Sequence, residues 1–167
     1  EWNRGAYLVE GLGHCNACHA TRNILGAVSK VDDYSGGLIT LQNWYAPSLS
    51  SSREAGLGDW EMKDMVELLR TGISPRGAAT GPMAAVVQYS LQNMTMVDLT
   101  AMAVYLKAQT EQQAPEPWLP SERSPKETAG MLTLGAKIYQ DHCVGCHMAD
   151  GKGVPRIYPP LVNNKAV

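Results

Sequence analysis

One five-residue pattern occurs twice in this chain, at residues 15–19 (CNACH, the first motif) and 143–147 (CVGCH, the second motif). Each copy has two cysteines separated by two residues and a histidine directly after the second cysteine, and together the copies use all 4 cysteines of the chain. This spacing suits thioether bonds from both thiols to the vinyl groups of one porphyrin, with the histidine as the proximal iron ligand. The repeat therefore predicts two covalently bound haem c groups. The predicted attachment residues are Cys15, Cys18, Cys143 and Cys146, and the predicted proximal ligands are His19 and His147.

Three other uses of paired cysteines fit this sequence less well. A disulfide framework in an exported protein gives no reason for a histidine after each pair. A zinc ribbon has its two cysteine pairs roughly 15–20 residues apart, whereas these pairs lie near opposite ends of the chain. A thioredoxin-like pair needs a βαβ context, and no strong strand pattern surrounds either motif. The histidines and the repeat decide in favour of haem.

Length and charge leave room for two small domains and give no reason to expect a highly charged partner. A chain of 167 residues can hold one domain or two small ones, and the distance between the motifs favours two. The formal charge of −2 does not favour nucleic acid or an anionic membrane as a partner. No apolar run approaches the roughly 18 residues of a membrane span, and the first residues show no signal-peptide pattern. We expect haem domains over 1–110 and 124–167, joined by a proline-rich linker over 111–123.

Helical patterns are strongest in three places. One helix is expected over 60–70, with Asp59 as its N-cap and Gly72 as its stop. A second is expected to begin after Thr95, and a third after Ser124. The residues expected to form the buried faces of the first two helices are Met62, Met65, Val66, Leu69, Leu99, Met102, Ala103 and Leu106.

A methionine is the expected sixth ligand of the first haem iron, because a thioether accompanies histidine in cytochromes c. The methionines on predicted helix faces are explained as packing. Met83 lies in a predicted loop over 71–83, after a Gly-Pro pair that stiffens the chain, whereas Met94 and Met96 border the start of the next helix. We therefore predict Met83 as the ligand, with Met94 and Met96 as alternatives. For the second haem, no methionine is suitably spaced.

Aromatic residues and prolines near the motifs are candidates for contacts with the haem or its histidine. Trp44 and Tyr45 carry N–H and O–H groups that can hydrogen-bond haem propionates, and the alternative is aromatic packing with the polar tip at the surface. Pro47 is expected to offer its carbonyl to the Nδ1–H of His19, a bond that fixes the tautomer of the ring. Pro160 is expected to do the same for the second histidine.

Several stretches of the chain are similar to one family of proteins. They are 4–19 (RGAYLVEGLGHCNACH), 44–49 (WYAPSL), 56–60 (GLGDW), 81–87 (GPMAAVV), 90–106 and 158–167 (YPPLVNNKAV). Together they make the chain resemble the multihaem, typically trihaem, cytochrome c subunits of bacterial membrane-bound dehydrogenases for alcohols, gluconate, fructose or aldehydes. The resemblance implies that residues 1–110 are the middle haem domain, with His19 and Met83 as axial ligands. It implies that residues from 124 onward begin a third domain, cut before its distal methionine.

The expected fold is mainly α, with two class I cytochrome c-like haem domains in tandem and the second incomplete. The expected function is electron transfer without catalysis by this chain, from a dehydrogenase catalytic subunit towards quinone or a terminal acceptor. The expected location is the periplasm, on the periplasmic face of the bacterial inner membrane, with membrane association only through partners or further segments. The alternatives are a dihaem enzyme of the peroxidase or thiosulfate dehydrogenase type, with an open site at the second haem, and a freestanding dihaem electron shuttle.

Overall fold

The structure is a computed structural model that describes residues 1–28, 30, 32–51, 54–111, 124–162 and 164. Apart from residue 111, the predicted linker over 111–123 lies outside the described residues. We call the described residues up to 111 the N-terminal part and those from 124 the C-terminal part. Over these ranges, none of the helices combines the length and the apolar composition that a bilayer span requires.

Helices account for most of the regular structure, which confirms the expected mainly α fold. The α-helices of the described residues are α1 (Trp2–Ala6), α2 (Asn16–His19), α3 (Met62–Thr71), α4 (Gly81–Tyr89), α5 (Met96–Glu111), α6 (Pro125–His142) and α7 (Val144–His147). A π-helical segment, Tyr7–Leu12, continues α1, and 3-10 turns lie at Thr40–Gln42, Leu57–Asp59 and Leu91–Asn93.

Two small antiparallel hairpins interrupt the helices of the N-terminal part. Strand β1 (Gly37–Ile39) pairs with β2 (Trp44–Ala46), and β3 (Ile73–Ser74) pairs with β4 (Gly77–Ala78). No sequence pattern predicted them, because strands of two or three residues are too short to show an alternating pattern. The β1–β2 hairpin matters for function because it leads directly to Pro47.

The core of the N-terminal part lies between α1 with its π-helical continuation, α3 and α5. The predicted buried faces are confirmed: Met62 packs against the core partly buried, and the other face residues are buried. Those are Met65, Val66, Leu69, Leu99, Met102, Ala103 and Leu106. Met65 and Met102 are only 2% exposed, so packing explains both of these methionines.

The end of α3 is confirmed and its predicted start is wrong. Gly72 follows the helix with φ +76°, a left-handed conformation that glycine adopts without strain. Asp59 is not the N-cap, because it ends the 3-10 turn Leu57–Asp59 and the extended Trp60 follows it. The helix begins at Met62, with Glu61 in the N-cap position.

The predicted loop over 71–83 is also wrong in its second half. Strands β3 and β4 occupy its centre, and α4 begins at Gly81. Pro82 fits the first turn of a helix, where a missing N–H costs nothing. Met83 therefore lies in the first turn of α4 and not in a loop.

The two predicted helix starts further along the chain are confirmed. Thr95 precedes α5 and Asp98 lies in its first turn. The N–H of Asp98 donates to the hydroxyl of Thr95 at 3.2 Å. At α6, Ser124 and Glu127 form a reciprocal capping box, and Pro125 is the first helical residue.

The C-terminal part exposes one long helix and touches the N-terminal part through its last loop. No residue of α6 is buried, and its apolar side chains Met131, Leu132 and Ile138 are about half exposed or more. Arg156 Nη2 lies 2.9 Å from Glu67 Oε1 on α3. This ion pair joins the loop after the second motif to the N-terminal part.

We predict that Gly5→Ala destabilises the N-terminal part by about 1–3 kcal/mol, the usual cost of forcing extra atoms into a packed core. Gly5 lies where α1 crosses α5, and an added Cβ would overlap the carbonyl oxygen of Ala101 and lie 2.7 Å from Tyr105 Cβ. Guanidinium unfolding followed by far-ultraviolet circular dichroism measures the change.

Gly11→Ala is the matched control for that substitution. Its added Cβ would meet only the ring of Tyr7, at 3.6 Å, on an exposed face of the π-helical segment. Its free energy of unfolding should change by no more than about 0.5 kcal/mol. Equal stability of the two variants would show that α1 does not pack tightly on α5.

Candidate functional site

The first motif folds into one helical turn, α2, that begins directly after Cys15. The N–H groups of Cys18 and His19 donate to the carbonyl of Cys15, at 3.3 and 3.0 Å. Cys15 is half-buried and Cys18 is exposed. One turn therefore carries both thiols and the imidazole.

The second motif repeats this turn as α7. The N–H groups of Cys146 and His147 donate to the carbonyl of Cys143, at 3.2 and 2.9 Å. Cys143 is half-buried and Cys146 is exposed, as in the first motif. Two distant stretches of the chain thus build the same local arrangement of two thiols and a histidine.

Among the described residues, the cysteine thiols form neither a disulfide nor a cluster that could hold a metal ion. All four cysteines are free, so a disulfide framework is not supported. In the part of the chain that the structure describes, no three His, Cys, Asp or Glu side chains come together as a metal site, so a zinc ribbon is not supported. Burial raises the pKa of the Cys15 thiol to about 11, so this thiol is protonated at neutral pH.

A backbone carbonyl orients the histidine of each motif. His19 Nδ1 lies 2.8 Å from the carbonyl oxygen of Pro47, and His147 Nδ1 lies 3.0 Å from that of Pro159. A carbonyl can only accept, so Nδ1 carries the proton in both rings and Nε2 keeps its lone pair for a metal. Burial lowers the pKa of His19, which favours the neutral ring that a metal ion binds.

The carbonyl expected for His19 is therefore present, and the one expected for His147 is wrong by one residue. Pro160 does not serve the ring, because its carbonyl accepts from the side-chain amide of Asn164 at 3.2 Å. Pro159 takes the role instead. A proline after it holds Pro159 in an extended conformation, and the two successive carbonyls point to different partners.

The residues of both motifs fit a covalently attached haem. Each turn offers two free thiols at the sequence spacing that suits two vinyl groups, and an imidazole whose Nδ1 is held so that Nε2 can face an iron. In the core that Cys15 packs against, the hydroxyl of Tyr34 is buried beside Tyr105 and makes no hydrogen bond of full geometry, so a bound ligand can still satisfy it. Tyr34 itself is 1% exposed.

Two glycines let the β1–β2 hairpin approach the first motif closely. The N–H of Gly36 donates to the carbonyl of His19 at 2.8 Å. Gly36 has φ +88°, and a Cβ on Gly37 would overlap the carbonyl of Ala20. The hairpin that leads to Pro47 therefore lies directly on the chain that leaves α2.

The two aromatic candidates, Trp44 and Tyr45, both have protein partners. The ring of Trp44 lies against Gly81 at the start of α4, so closely that a Cβ at Gly81 would overlap the ring. Trp44 itself is 43% exposed. The hydroxyl of Tyr45 donates to the carboxylate of Glu54, at 3.1 Å from both oxygens. Burial and this hydrogen bond raise the pKa of Tyr45. Trp44 follows the packing alternative, and a propionate contact for either residue stays a prediction.

The three candidate methionines differ in their surroundings. Met83 and Met94 are partly buried against the core. Met96 is 47% exposed, and its sulfur accepts from Arg70 Nη1 at 3.3 Å, so the structure disfavours it as a ligand. The Trp44–Gly81 contact also ties the start of α4, which carries Met83, to the strand that leads to Pro47.

Sequence reasoning missed two residues of the site, Glu54 and Pro159. Glu54 accepts from the backbone N–H of Ser48 at 2.6 Å, directly behind Pro47. It lies in a polar, turn-rich stretch where nothing in the pattern separates it from other acidic residues. Pro159 could have been found only by weighing both carbonyls of the Pro-Pro pair.

Comparisons with known proteins agree with this geometry. Residues 132–166 match the cytochrome c family. The chain is 39% identical, over 98% of its length, to the cytochrome c subunit of a quinone-dependent alcohol dehydrogenase from Gluconobacter oxydans. It is 34% identical over 98% of its length to the fructose dehydrogenase cytochrome subunit of Gluconobacter japonicus. It is also 35% identical, over 93%, to the gluconate 2-dehydrogenase cytochrome c subunit of Pantoea cypripedii.

This chain is a homologue of dehydrogenase cytochrome c subunits. The resemblance found in the sequence is thereby confirmed. The cytochrome c match implies a covalently bound haem c, and it covers α6 from residue 132 onward, α7 and the loop after the second motif. The chain spans 36–37% of the length of the three relatives named above.

Proposed function

We propose that this chain carries two covalently bound haem c groups and transfers electrons as part of a dehydrogenase complex. The observation that supports this best is the repeated turn, in which two thiols and a histidine are placed alike and a proline carbonyl holds Nδ1. The homology to cytochrome subunits supports electron transfer by the same chemistry.

The protein's own residues attach, orient and tune the cofactor. Cys15 and Cys18 would hold one haem, and Cys143 and Cys146 the other, each by two thioethers. When bound, each haem supplies an iron that alternates between the ferrous and ferric states and so carries one electron. The carbonyls of Pro47 and Pro159 fix the imidazole rings and raise the basicity of Nε2.

We assign the haems to two domains in tandem, over 1–110 and 124–167, with 111–123 as the linker. The core of the N-terminal part supports the first assignment, because its buried residues run from Leu8 to Leu106. The cytochrome c match over 132–166 supports the second. We infer that the second domain is incomplete, since the apolar side chains of α6 are exposed among the described residues.

We propose His19 and Met83 as the axial ligands of the first iron. The partial burial of Met83 and the contact between its helix and β2 support it over Met96, and Met94 stays the alternative. Two protein ligands on the first iron would leave no position there for a substrate, which argues against chemistry at the first haem. The kinship with cytochrome subunits supports an electron carrier over a dihaem enzyme.

The proposed partners follow from the same homology. We propose that a dehydrogenase catalytic subunit delivers the electrons, and that quinone or a terminal acceptor receives them. The relatives named above are the cytochrome subunits of alcohol, fructose and gluconate dehydrogenases. We propose a periplasmic location, on the periplasmic face of the inner membrane, because bacterial c-type cytochromes are assembled there.

The haem count tests the proposal directly. The mass of the denatured protein should exceed that of the polypeptide by two haems, because thioether bonds survive denaturation. Replacing both cysteines of either motif by alanine should remove one haem, and the spacer variant Gly145→Ala should keep both, since nothing lies within 4 Å of that position. An unmodified polypeptide mass in the wild-type protein, made in a host that matures cytochromes c, would contradict the proposal.

Met83→Ala should lower the midpoint potential of one haem, because a thioether ligand favours ferrous iron and raises the potential. We expect a shift well above 59 mV, which is a factor of ten in a one-electron equilibrium. A potentiometric titration followed by absorption measures it. Met94→Ala is the control, since it removes the same sulfur from another partly buried position. A shift in Met94→Ala and none in Met83→Ala would transfer the ligand to Met94.

A further inference from the structure

The peptide group between Pro47 and Ser48 is hydrogen-bonded on both of its sides. Its carbonyl accepts from His19 Nδ1 at 2.8 Å, and its N–H donates to Glu54 Oε2 at 2.6 Å. The two bonds share one planar, resonance-stabilised amide. A carboxylate is therefore joined to the imidazole through a single peptide group.

The geometry of this chain of bonds makes it strong. The N–H of Ser48 donates to a carboxylate at 2.6 Å, and hydrogen bonds to an ionised acceptor are stronger than those between neutral groups. Ser48 is 2% exposed, so the amide lies away from water, where hydrogen bonds in series polarise one another. Negative charge on Glu54, at the N–H end of the amide, pushes electron density through the amide onto the carbonyl oxygen of Pro47. That oxygen then pulls harder on the Nδ1 proton, and Nε2 becomes a stronger donor to iron.

The surroundings hold the carboxylate behind this peptide. The hydroxyl of Tyr45 donates to both carboxylate oxygens at 3.1 Å. Gly36 lies against the same spot, since a Cβ there would be 2.8 Å from the nitrogen of Ser48 and 2.7 Å from the hydroxyl of Tyr45. Only a residue without a side chain leaves room for the carboxylate, the phenol and the peptide together.

The second motif lacks the means to make the same connection. There the carbonyl that accepts from His147 belongs to the peptide between Pro159 and Pro160. Proline has no backbone N–H, so this peptide has nothing to donate to a carboxylate. Each histidine therefore donates to a proline carbonyl, but only the peptide that accepts from His19 has an N–H that can donate to a carboxylate.

We propose that Glu54 is a positioning residue that acts through the Pro47–Ser48 peptide to lower the midpoint potential of the first haem relative to the second. This inference rests on the proposed function, because it requires a haem at the first motif. Glu54 would strengthen the electron donation from His19 Nε2 to the iron.

The test is Glu54→Gln, with two readouts. Glutamine can still accept from Ser48 but has no charge, so the ratio of reduced to oxidised first haem at a fixed electrode potential should rise about three- to tenfold. A tenfold change equals 59 mV for a one-electron couple. The proton resonance of His19 Nδ1–H in the reduced protein should move upfield, because its hydrogen bond weakens. The second haem should change in neither readout.

Two further variants separate the peptide connection from plain removal of a charge. Glu61→Gln removes the same charge from an exposed carboxylate that pairs with Lys63 at 2.6 Å, and it should leave the His19 resonance unmoved. Glu54→Asp keeps the charge but shortens the reach by one methylene. It should resemble Glu54→Gln if the hydrogen bond matters, and the wild type if only charge matters.

Three results would overturn the inference: Glu54→Gln shifts both haem potentials equally, Glu61→Gln has the same effect as Glu54→Gln, or the His19 resonance does not move in Glu54→Gln. If Glu54→Gln fails to fold, Tyr45→Phe takes its place: it removes a competing donor, so the first potential should fall, and a rise or no change would overturn the inference. Absence of haem at the first motif in the wild-type protein would refute the proposed function instead. If the wild-type protein carries both haems but the Glu54 variants change neither readout, only the proposed role of Glu54 is refuted.

Discussion

The hydrogen bond between the Nδ1–H of a histidine and a proline carbonyl is the constraint on which each site depends. An imidazole on a free side chain can present either nitrogen to a metal, whereas a ring held at Nδ1 presents Nε2 in one orientation. For His19 the carbonyl comes from a residue 28 positions away, so the β1–β2 hairpin must return to the motif. The hydrogen bond from Gly36 to His19 and the close approach at Gly37 show how the chain achieves this.

The second site reaches the same arrangement by a shorter route. Its carbonyl lies 12 positions after His147, within one loop, so it needs no hairpin and no contribution from the N-terminal part. The ion pair between Arg156 and Glu67 is largely exposed on the arginine side, and such pairs contribute about 0–1 kcal/mol. The two sites are therefore built independently and surrounded differently. Under the proposed function, these different surroundings would give the two haems different potentials.

The sequence revealed what is local and missed what depends on direction in space. The motifs, the buried faces of α3 and α5, the glycine stop at Gly72 and the capping box at Ser124 were predictable because each is written in a few neighbouring residues. The choice between Pro159 and Pro160 was not, because it depends on where two successive carbonyls point. The start of α4 was hidden because a Gly-Pro pair fits both a loop and a first helical turn. Glu54 escaped notice because its partner is a backbone N–H, which no residue pattern displays.

We propose that this chain holds two haems by the same turn and transfers electrons through both. The most direct test is a potentiometric titration of the wild-type chain, with visible absorption recorded in both directions. Two reversible one-electron steps of comparable amplitude at different midpoint potentials are the predicted result. A single step with the amplitude of one haem, or reduction that cannot be reversed, would contradict the account.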